Sequence, residues 1–260
     1  MAKENKTKKS ANKAGGRAKL AQAAPAVPST IEELVAANRI LYAQSVVDGF
    51  GHVSARHDSN PHRYWLARSM APGLVTAADI MEFDLDSNPI DARGRAMYAE
   101  RFIHGEIYRR RPDVKAIVHS HSPAVIPFGV TNVPLRPIFH MSAFLGAGVP
   151  VFEIREAAGD TDMLVRSPSL GTALALCLQD RPAALMRGHG SVAVGVSLQQ
   201  AVFRAIYLEI NARLQSEAMK LGNINFLTPE EAKLAAAGND THLMRPWMLW
   251  KHEIERWNRA

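Results

Sequence analysis

The stretch Glu100–Val125, ERFIHGEIYRRRPDVKAIVHSHSPAV, decides the fold because it passes from helix to strand and carries two histidines at the end of that strand. Its first half reads as a helix stopped by Pro112, which has no N–H for the helical ladder. Its second half, VKAIVHSHS, reads as a strand. Residues i and i+2 of a strand point to the same face, so His119 and His121 project together. Two such imidazoles can both reach a divalent ion at about 2.0–2.1 Å, and a catalytic site normally adds a third protein ligand and an open position. The spacing alone leaves two readings open, a ligand pair or ordinary polar residues at a strand end. Two neighbours favour the first. Glu100 can bring a carboxylate toward the strand end from the preceding helix. Downstream, LMRGHGSVAVG sets His189 between two glycines at a strand-to-strand turn, where the backbone can pass close to a site.

Outward from this stretch, helices and strands alternate without an internal repeat or a dividing linker. STIEELVAANRILYAQSVV opens on a capping box, Thr30 to Glu33, and runs at helical spacing until Gly49. GHVSARH and RYWLA alternate like paired strands. PGLVTAADIMEFDLDSNPI reads as a turn, a short helix and a strand, closed by Ser87-Asn88-Pro89. Further strands are expected in VPVFEI, AALMRGHG and SVAVGVS. Helices are expected in SPSLGTALALCLQ, in the long LQQAVFRAIYLEINARLQSEAMKLG and after a second capping box, Thr228 to Glu231. The aromatic end, MRPWMLWKHEIERW, reads as a helical extension in which Trp247 and Trp250 serve either an apolar lid or the core. Several strand pairs are too close in sequence for crossovers, so the sheet is expected to be mainly antiparallel, with helices packed on it in one domain over residues 30–260.

The formal net charge of +6 and pI near 9.6 point to nucleic acid only until the charges are located. Residues 1–29 hold six Lys, one Arg and one Glu, so the body sums to zero. That segment is expected to be a disordered basic tail, and neither a nucleic-acid nor a membrane partner is expected. Arg109 to Asp113, RRRPD, sits at a helix C-terminus, where basic residues complement the dipole. The tail's short apolar run is broken by Pro25 and Pro28 and does not resemble a signal peptide. Cys177, the single cysteine, lies in an apolar run and reads as a buried thiol. A soluble, cytoplasmic chain is expected from these features.

The run from Glu100 to Val125, taken with MRGHGSVAVG, resembles the class II aldolase/adducin family over roughly residues 30–225. The resemblance implies a three-layer α/β/α sandwich with a mainly antiparallel central sheet. It implies a homotetramer or larger assembly with active sites near subunit interfaces. By position it makes His119, His121 and His189 ligands of a divalent metal, Mn²⁺ or Zn²⁺ with Co²⁺ or Fe²⁺ as further options, and Glu100 the acid/base. Departures from the family's phosphate-binding pattern bear on substrate. GHVS places His52 where an asparagine is usual, Pro72 removes an N–H donor from SMAPG, and Tyr98-Ala99 replaces a serine pair. A flat anionic substrate is expected instead, held by His52, Arg68 and Tyr98. ARSMAPGLV and the Glu100 run look most like the branch that decarboxylates hydroxylated aromatic or pyridine carboxylates. 3-Hydroxy-2-methylpyridine-4,5-dicarboxylate, from vitamin B6 degradation, is the particular substrate expected. The alternatives are a sugar or sugar-phosphate aldolase/epimerase and a non-catalytic adducin-like module. Among the other histidines, His104 stands one helical turn after Glu100 and either orients it or serves the surface or core, and His140 is a candidate to reach a neighbouring subunit's site.

Overall fold

The computed structural model describes Met1 and residues 29–257, so the basic tail expected over residues 1–29 lies outside the described residues except at its two ends. The first helix, α1 (Thr30–Ala43), is capped one residue earlier than expected. Ser29 and Glu32 form the reciprocal box, while the Thr30 hydroxyl donates to the Asp58 carboxylate at 2.6 Å. Thr30 therefore spends its hydroxyl on a distant loop and is no cap. The second box, Thr228 with Glu231, opens its helix as expected.

Among the described residues, seven strands form one sheet: β1 (His52–Arg56), β2 (Arg63–Ala67), β3 (Ile80–Asp84), β4 (Ala116–Ser120), β5 (Val151–Phe152), β6 (Ala183–Met186) and β7 (Gly190–Gly195). Their order is β3-β2-β1-β4-β7-β6-β5, antiparallel throughout except for the β5–β6 edge pair. Only two residues of VPVFEI pair. Pro150 has no N–H to offer, and Glu153 caps α4 (Ile154–Ala158) through its side chain.

Side-chain alternation sorts the sheet into two apolar faces. Val53, Ala55, Val118 and Ala193 pack against α1, α6 (Leu198–Leu221) and the C-terminal helix α8 (Met244–Trp257). Tyr64, Leu66, Phe83, Ile117, Val192 and Val194 pack against α2 (Phe102–Arg110) and α5 (Pro168–Leu178). The result is the expected sandwich of helices on both faces of a mainly antiparallel sheet. The short α3 (Ile126–Val130) and α7 (Pro229–Asp240) flank it. Trp247 and Trp250 are buried in the first core, so within this chain they pack against α1 and α6 and close no lid. Cys177 is half-buried on α5, less enclosed than expected, and burial pushes its thiol up.

The same alternation positions chemistry. His52 and Ser54 share the α2-facing side of β1, as Ile117 and His119 do on β4, and His52 is the direct cross-strand partner of His119. Polar side chains on that face therefore meet the ones that α2 directs at the sheet.

Candidate metal centre and cavity

Glu100, His119, His121 and His189 offer one ligand atom each, all within 4.8 Å of one another. Three local devices bring them together. His119 occupies β4, and His121 follows one residue past its end, where the chain leaves the sheet. The loop after it is held by Glu209 of α6, whose carboxylate accepts from the Ser122 hydroxyl and, at 3.0 Å, from the Ala124 N–H. His189 sits in the β6–β7 turn after Gly188 at φ +63°, and its own N–H donates to the Met186 carbonyl at 3.0 Å. A Cβ on Gly190 would lie 2.0 Å from the Ser120 carbonyl oxygen, so only glycine lets β7 approach β4 closely enough to place His189 beside His121. Glu100 lies in the single 3-10 turn Ala99–Arg101 that precedes α2, at φ −92° and ψ 19°, outside helical geometry.

Hydrogen bonds behind the cluster fix its protons. His119 Nδ1 meets the Ser191 carbonyl at 3.1 Å, and His189 Nδ1 meets the Met163 carbonyl at 2.9 Å. A carbonyl can only accept, so both Nδ1 atoms carry hydrogen and both Nε2 atoms, when neutral, present lone pairs to the centre. These Nε2 atoms stand 3.2 Å and 3.0 Å from His121 Nε2, and 3.5 Å and 3.4 Å from Glu100 Oε2. Several acceptors converging without enough donors repel one another unless a cation or protons lie among them. Three imidazole nitrogens and a carboxylate oxygen suit a borderline divalent ion such as Zn²⁺, Mn²⁺, Fe²⁺ or Co²⁺. The residues thus fit the metal that the family resemblance implies.

Burial pushes the Glu100 carboxyl up, but where protons rather than a cation sit among the nitrogens, hydrogen bonds and charge interactions with His119 and His189 prevail and hold it well below the usual carboxylate range. Its other oxygen accepts from the Val165 N–H at 2.9 Å. One short loop therefore serves two members of the cluster, Met163 through its carbonyl and Val165 through its amide. Met163 adopts φ +70°, unusual for a non-glycine residue, and its N–H donates to Thr161 Oγ1 at 2.9 Å. Asp162 pairs with Arg166 across the same loop. Backbone groups do this orienting work, so sequence motifs carry no sign of it.

A cavity of about 480 Å³ opens beside the cluster, walled by Phe50, His52, Met70, Tyr98, Glu100, His121 and Leu164. Its character is largely apolar and aromatic. The Tyr98 ring packs 4.6 Å from that of His52, and its hydroxyl donates to the Met70 carbonyl at 2.5 Å. Burial pushes the Tyr98 phenol up to about 12. Two of the sequence-derived substrate contacts, His52 and Tyr98, thus line the cavity. Arg68 does not. Its Nε donates to Asp79 at 2.7 Å, and the following residues Ser69, Met70 and Ala71 form the wall in its place. His104 takes the core alternative: it is fully buried and turns to His52 and Ser54, at 2.7 Å and 2.6 Å, with no hydrogen bond to Glu100. His140 is exposed at the start of a separate 3-10 segment, away from this cavity's lining.

A mainly antiparallel sheet between helical layers, with three imidazoles and a carboxylate converging at one strand end, defines an α/β protein with a group of side chains that could hold a cation. The domain model described as Class II Aldolase and Adducin N-terminal domain matches residues 32–216. This chain belongs to that family. Decarboxylase tropJ of Talaromyces stipitatus is 36% identical over 249 residues, covering 86% of this chain and 94% of that protein. The 3,4-dihydroxyphthalate decarboxylase of a Terrabacter species is 33% identical, covering 86% of this chain and 95% of that protein. Among solved structures, L-fuculose 1-phosphate aldolase from Glaciozyma antarctica superposes with a TM-score of 0.72 at 25% identity, covering 90% and 94% of the two chains.

Proposed function

We propose that this protein is a metal-dependent decarboxylase of a hydroxylated aromatic carboxylate. The observation that carries the reading is the convergence of the His119, His121 and His189 imidazoles and Glu100 beside an aromatic cavity that Glu100 and His121 line. Similarity to decarboxylases over 86% of this chain supports it. Losing CO₂ from an aromatic ring would leave an electron pair on a ring carbon, a prohibitively unstable anion. A hydroxyl ortho to the carboxylate offers an escape. A divalent ion held by the three histidines supplies Lewis-acid stabilisation of negative charge on a substrate oxygen.

Glu100 carries the proton in this scheme. It begins ionised, as a base, and takes the proton of the ring hydroxyl. It then delivers that proton to the carboxylate-bearing ring carbon, giving a dienone. The C–C bond breaks, CO₂ leaves, and the bonding pair returns to the ring and restores the oxyanion. Atoms balance, with the hydroxyl proton ending on carbon and solvent reprotonating the oxygen. The Val165 N–H keeps one carboxylate oxygen fixed while the other faces the cluster. Phe50, Leu164 and Tyr98 supply apolar walls for a flat ring, and His52 a polar contact on the same wall.

Two substrates represent the class, 3,4-dihydroxyphthalate and 3-hydroxy-2-methylpyridine-4,5-dicarboxylate. Both place a hydroxyl ortho to a carboxylate and carry a second carboxylate. The test is CO₂ release from each, measured with and without added Mn²⁺ or Zn²⁺, beside cleavage of L-fuculose 1-phosphate. Release from either acid supports the reading and identifies the ring. Cleavage of the sugar phosphate alone would replace it with an aldolase. A second copy completing the cavity mouth and a reducing, cytoplasmic location belong to the same proposal.

A further inference from the structure

Behind the cavity wall runs a continuous chain of buried hydrogen bonds. His52 Nδ1 lies 2.7 Å from His104 Nε2, His104 Nδ1 lies 2.6 Å from Ser54 Oγ, and Ser54 Oγ lies 2.8 Å from the Tyr108 hydroxyl. His52 and Ser54 stand on the same face of β1, and His104 and Tyr108 stand one turn apart on α2. All four are buried. Both rings are buried with no carboxylate in ion-pair distance among the described residues, so each is neutral, a lone buried charge being costly. Each ring then carries one N–H, and each link of the chain uses one proton.

Such a chain has only two self-consistent orders. In one, Tyr108 donates to Ser54, Ser54 to His104 and His104 to His52, which leaves the His52 proton on Nε2. In the other every donor is reversed, and the phenolic proton of Tyr108 points away from Ser54. Among the described residues the Tyr108 hydroxyl has no partner except Ser54. The reversed order would strand a buried donor, the costly outcome for a polar group away from water. The first order uses every proton inside the chain. Its remaining N–H is His52 Nε2, which has no partner among the described residues and belongs to a ring that lines the cavity 4.9 Å from the His119 ring.

We infer that His52 is a fixed Nε2–H donor that selects an anionic oxygen of the substrate, with His104, Ser54 and Tyr108 as the positioning residues that set its tautomer. The inference deepens the decarboxylase reading and rests on it for the identity of the anion. His52 acts as a donor and does not release its proton. Giving it up would pull a proton along the chain and leave a buried phenolate at Tyr108, and burial pushes that phenol strongly up. Its contribution therefore belongs to binding and specificity. A neutral hydroxyl group accepts more weakly from such a donor than a carboxylate or a ring oxyanion.

The deciding experiment is a long-range ¹H–¹⁵N correlation spectrum of the full chain labelled with ¹⁵N-histidine, with His52 and His104 assigned through the His52→Gln and His104→Gln variants. The expected result is protonated Nε2 and bare Nδ1 in both rings at neutral pH. An Nδ1–H tautomer or a mixture at His52 overturns the inference. Because this readout needs no turnover, it stays separate from any failure of the proposed activity. The kinetic arm uses Ser54→Ala, which removes the hydroxyl that holds His104. Loss of one hydrogen bond to a charged group predicts a rise of about tenfold in KM for the decarboxylated acid, with kcat within a few-fold. An unchanged KM with a lowered kcat overturns the inference, since a donor fixed for binding would then have no kinetic role.

Discussion

His52 and His119 face each other across β1 and β4, buried to nearly the same degree, yet their partners give the two rings opposite polarity. His119 gives its Nδ1 proton to a backbone carbonyl and shows a lone pair to its neighbours. His52 takes its Nδ1 partner from a hydroxyl-terminated chain and shows an N–H. One sheet face thus carries an acceptor pole suited to a cation beside a donor pole suited to an anion. The lesson is that the type of residue does not set the role of a histidine. The group behind its far nitrogen does.

The acceptor pole can be broken most severely at its ligands. His189→Ala should abolish bound metal, read by elemental analysis, and CO₂ release with it. A fully loaded, active variant would place the third ligand elsewhere. Glu100→Gln should keep the metal and lose about 10²–10⁴-fold in kcat, the usual weight of a positioned proton carrier. Loss of metal in that variant would make Glu100 a ligand first. The two substitutions together separate holding the cation from moving the proton.

A less drastic break leaves every ligand in place and disturbs the backbone beneath. Gly190→Ala puts a methyl group 2.0 Å from the Ser120 carbonyl oxygen, and neither partner is a flexible side chain. Overpacking of this kind costs about 1–3 kcal/mol, visible as a lowered thermal midpoint, and should weaken metal binding as β7 shifts from β4. Met163→Pro tests the carbonyl partner. Proline cannot adopt φ +70° and cannot donate to Thr161, so the Met163 carbonyl should swing away from His189. Metal affinity should fall by about 10–100-fold, the scale seen for orienting partners of metal-bound histidines. Unaltered affinity would mean that His189 needs no orientation from this loop.

These tests also mark where the sequence was legible. The i, i+2 histidines and the histidine between two glycines were readable, because each depends on local period or on the freedom of glycine, whereas Glu100 was expected on the helix itself and took its role from the family resemblance. Strand pairing followed from short connections. The orienting groups behind the ligands were not readable, since Ser191, Met163 and Val165 act through backbone atoms that any residue possesses. The orienting alternative for His104 failed for a different reason. Its spacing from Glu100 suggested a shared helical face, but Glu100 sits in the non-helical turn before α2, so the four-residue spacing no longer brings the two side chains together. The capping box slipped by one residue because Thr30 found Asp58, a partner 28 positions away.

Arg68 gives the mildest test of the comparison. If the two poles divide the polar recognition between a cation and His52, no charged arginine is required in the cavity, and the structure ties Arg68 to Asp79. A hydrogen bond from Thr76, with further help from Arg68, holds the Asp79 carboxyl below its ordinary value against the opposing effect of burial. A depressed carboxylate pKa stabilises the fold fully above the unfolded aspartate value and loses that contribution as pH falls through the folded one. Asp79→Asn should therefore lower the thermal midpoint slightly at neutral pH and flatten its decline on the acid side. Partly exposed pairs of this kind contribute about 0–1 kcal/mol, so the shift should be small. The substitution also releases the guanidinium from its anchor. If Arg68 serves only this anchor, KM for the aromatic acid should stay within about twofold, well below the change that loss of a charged hydrogen bond brings. A larger rise would return Arg68 to the substrate and give the donor pole a second member.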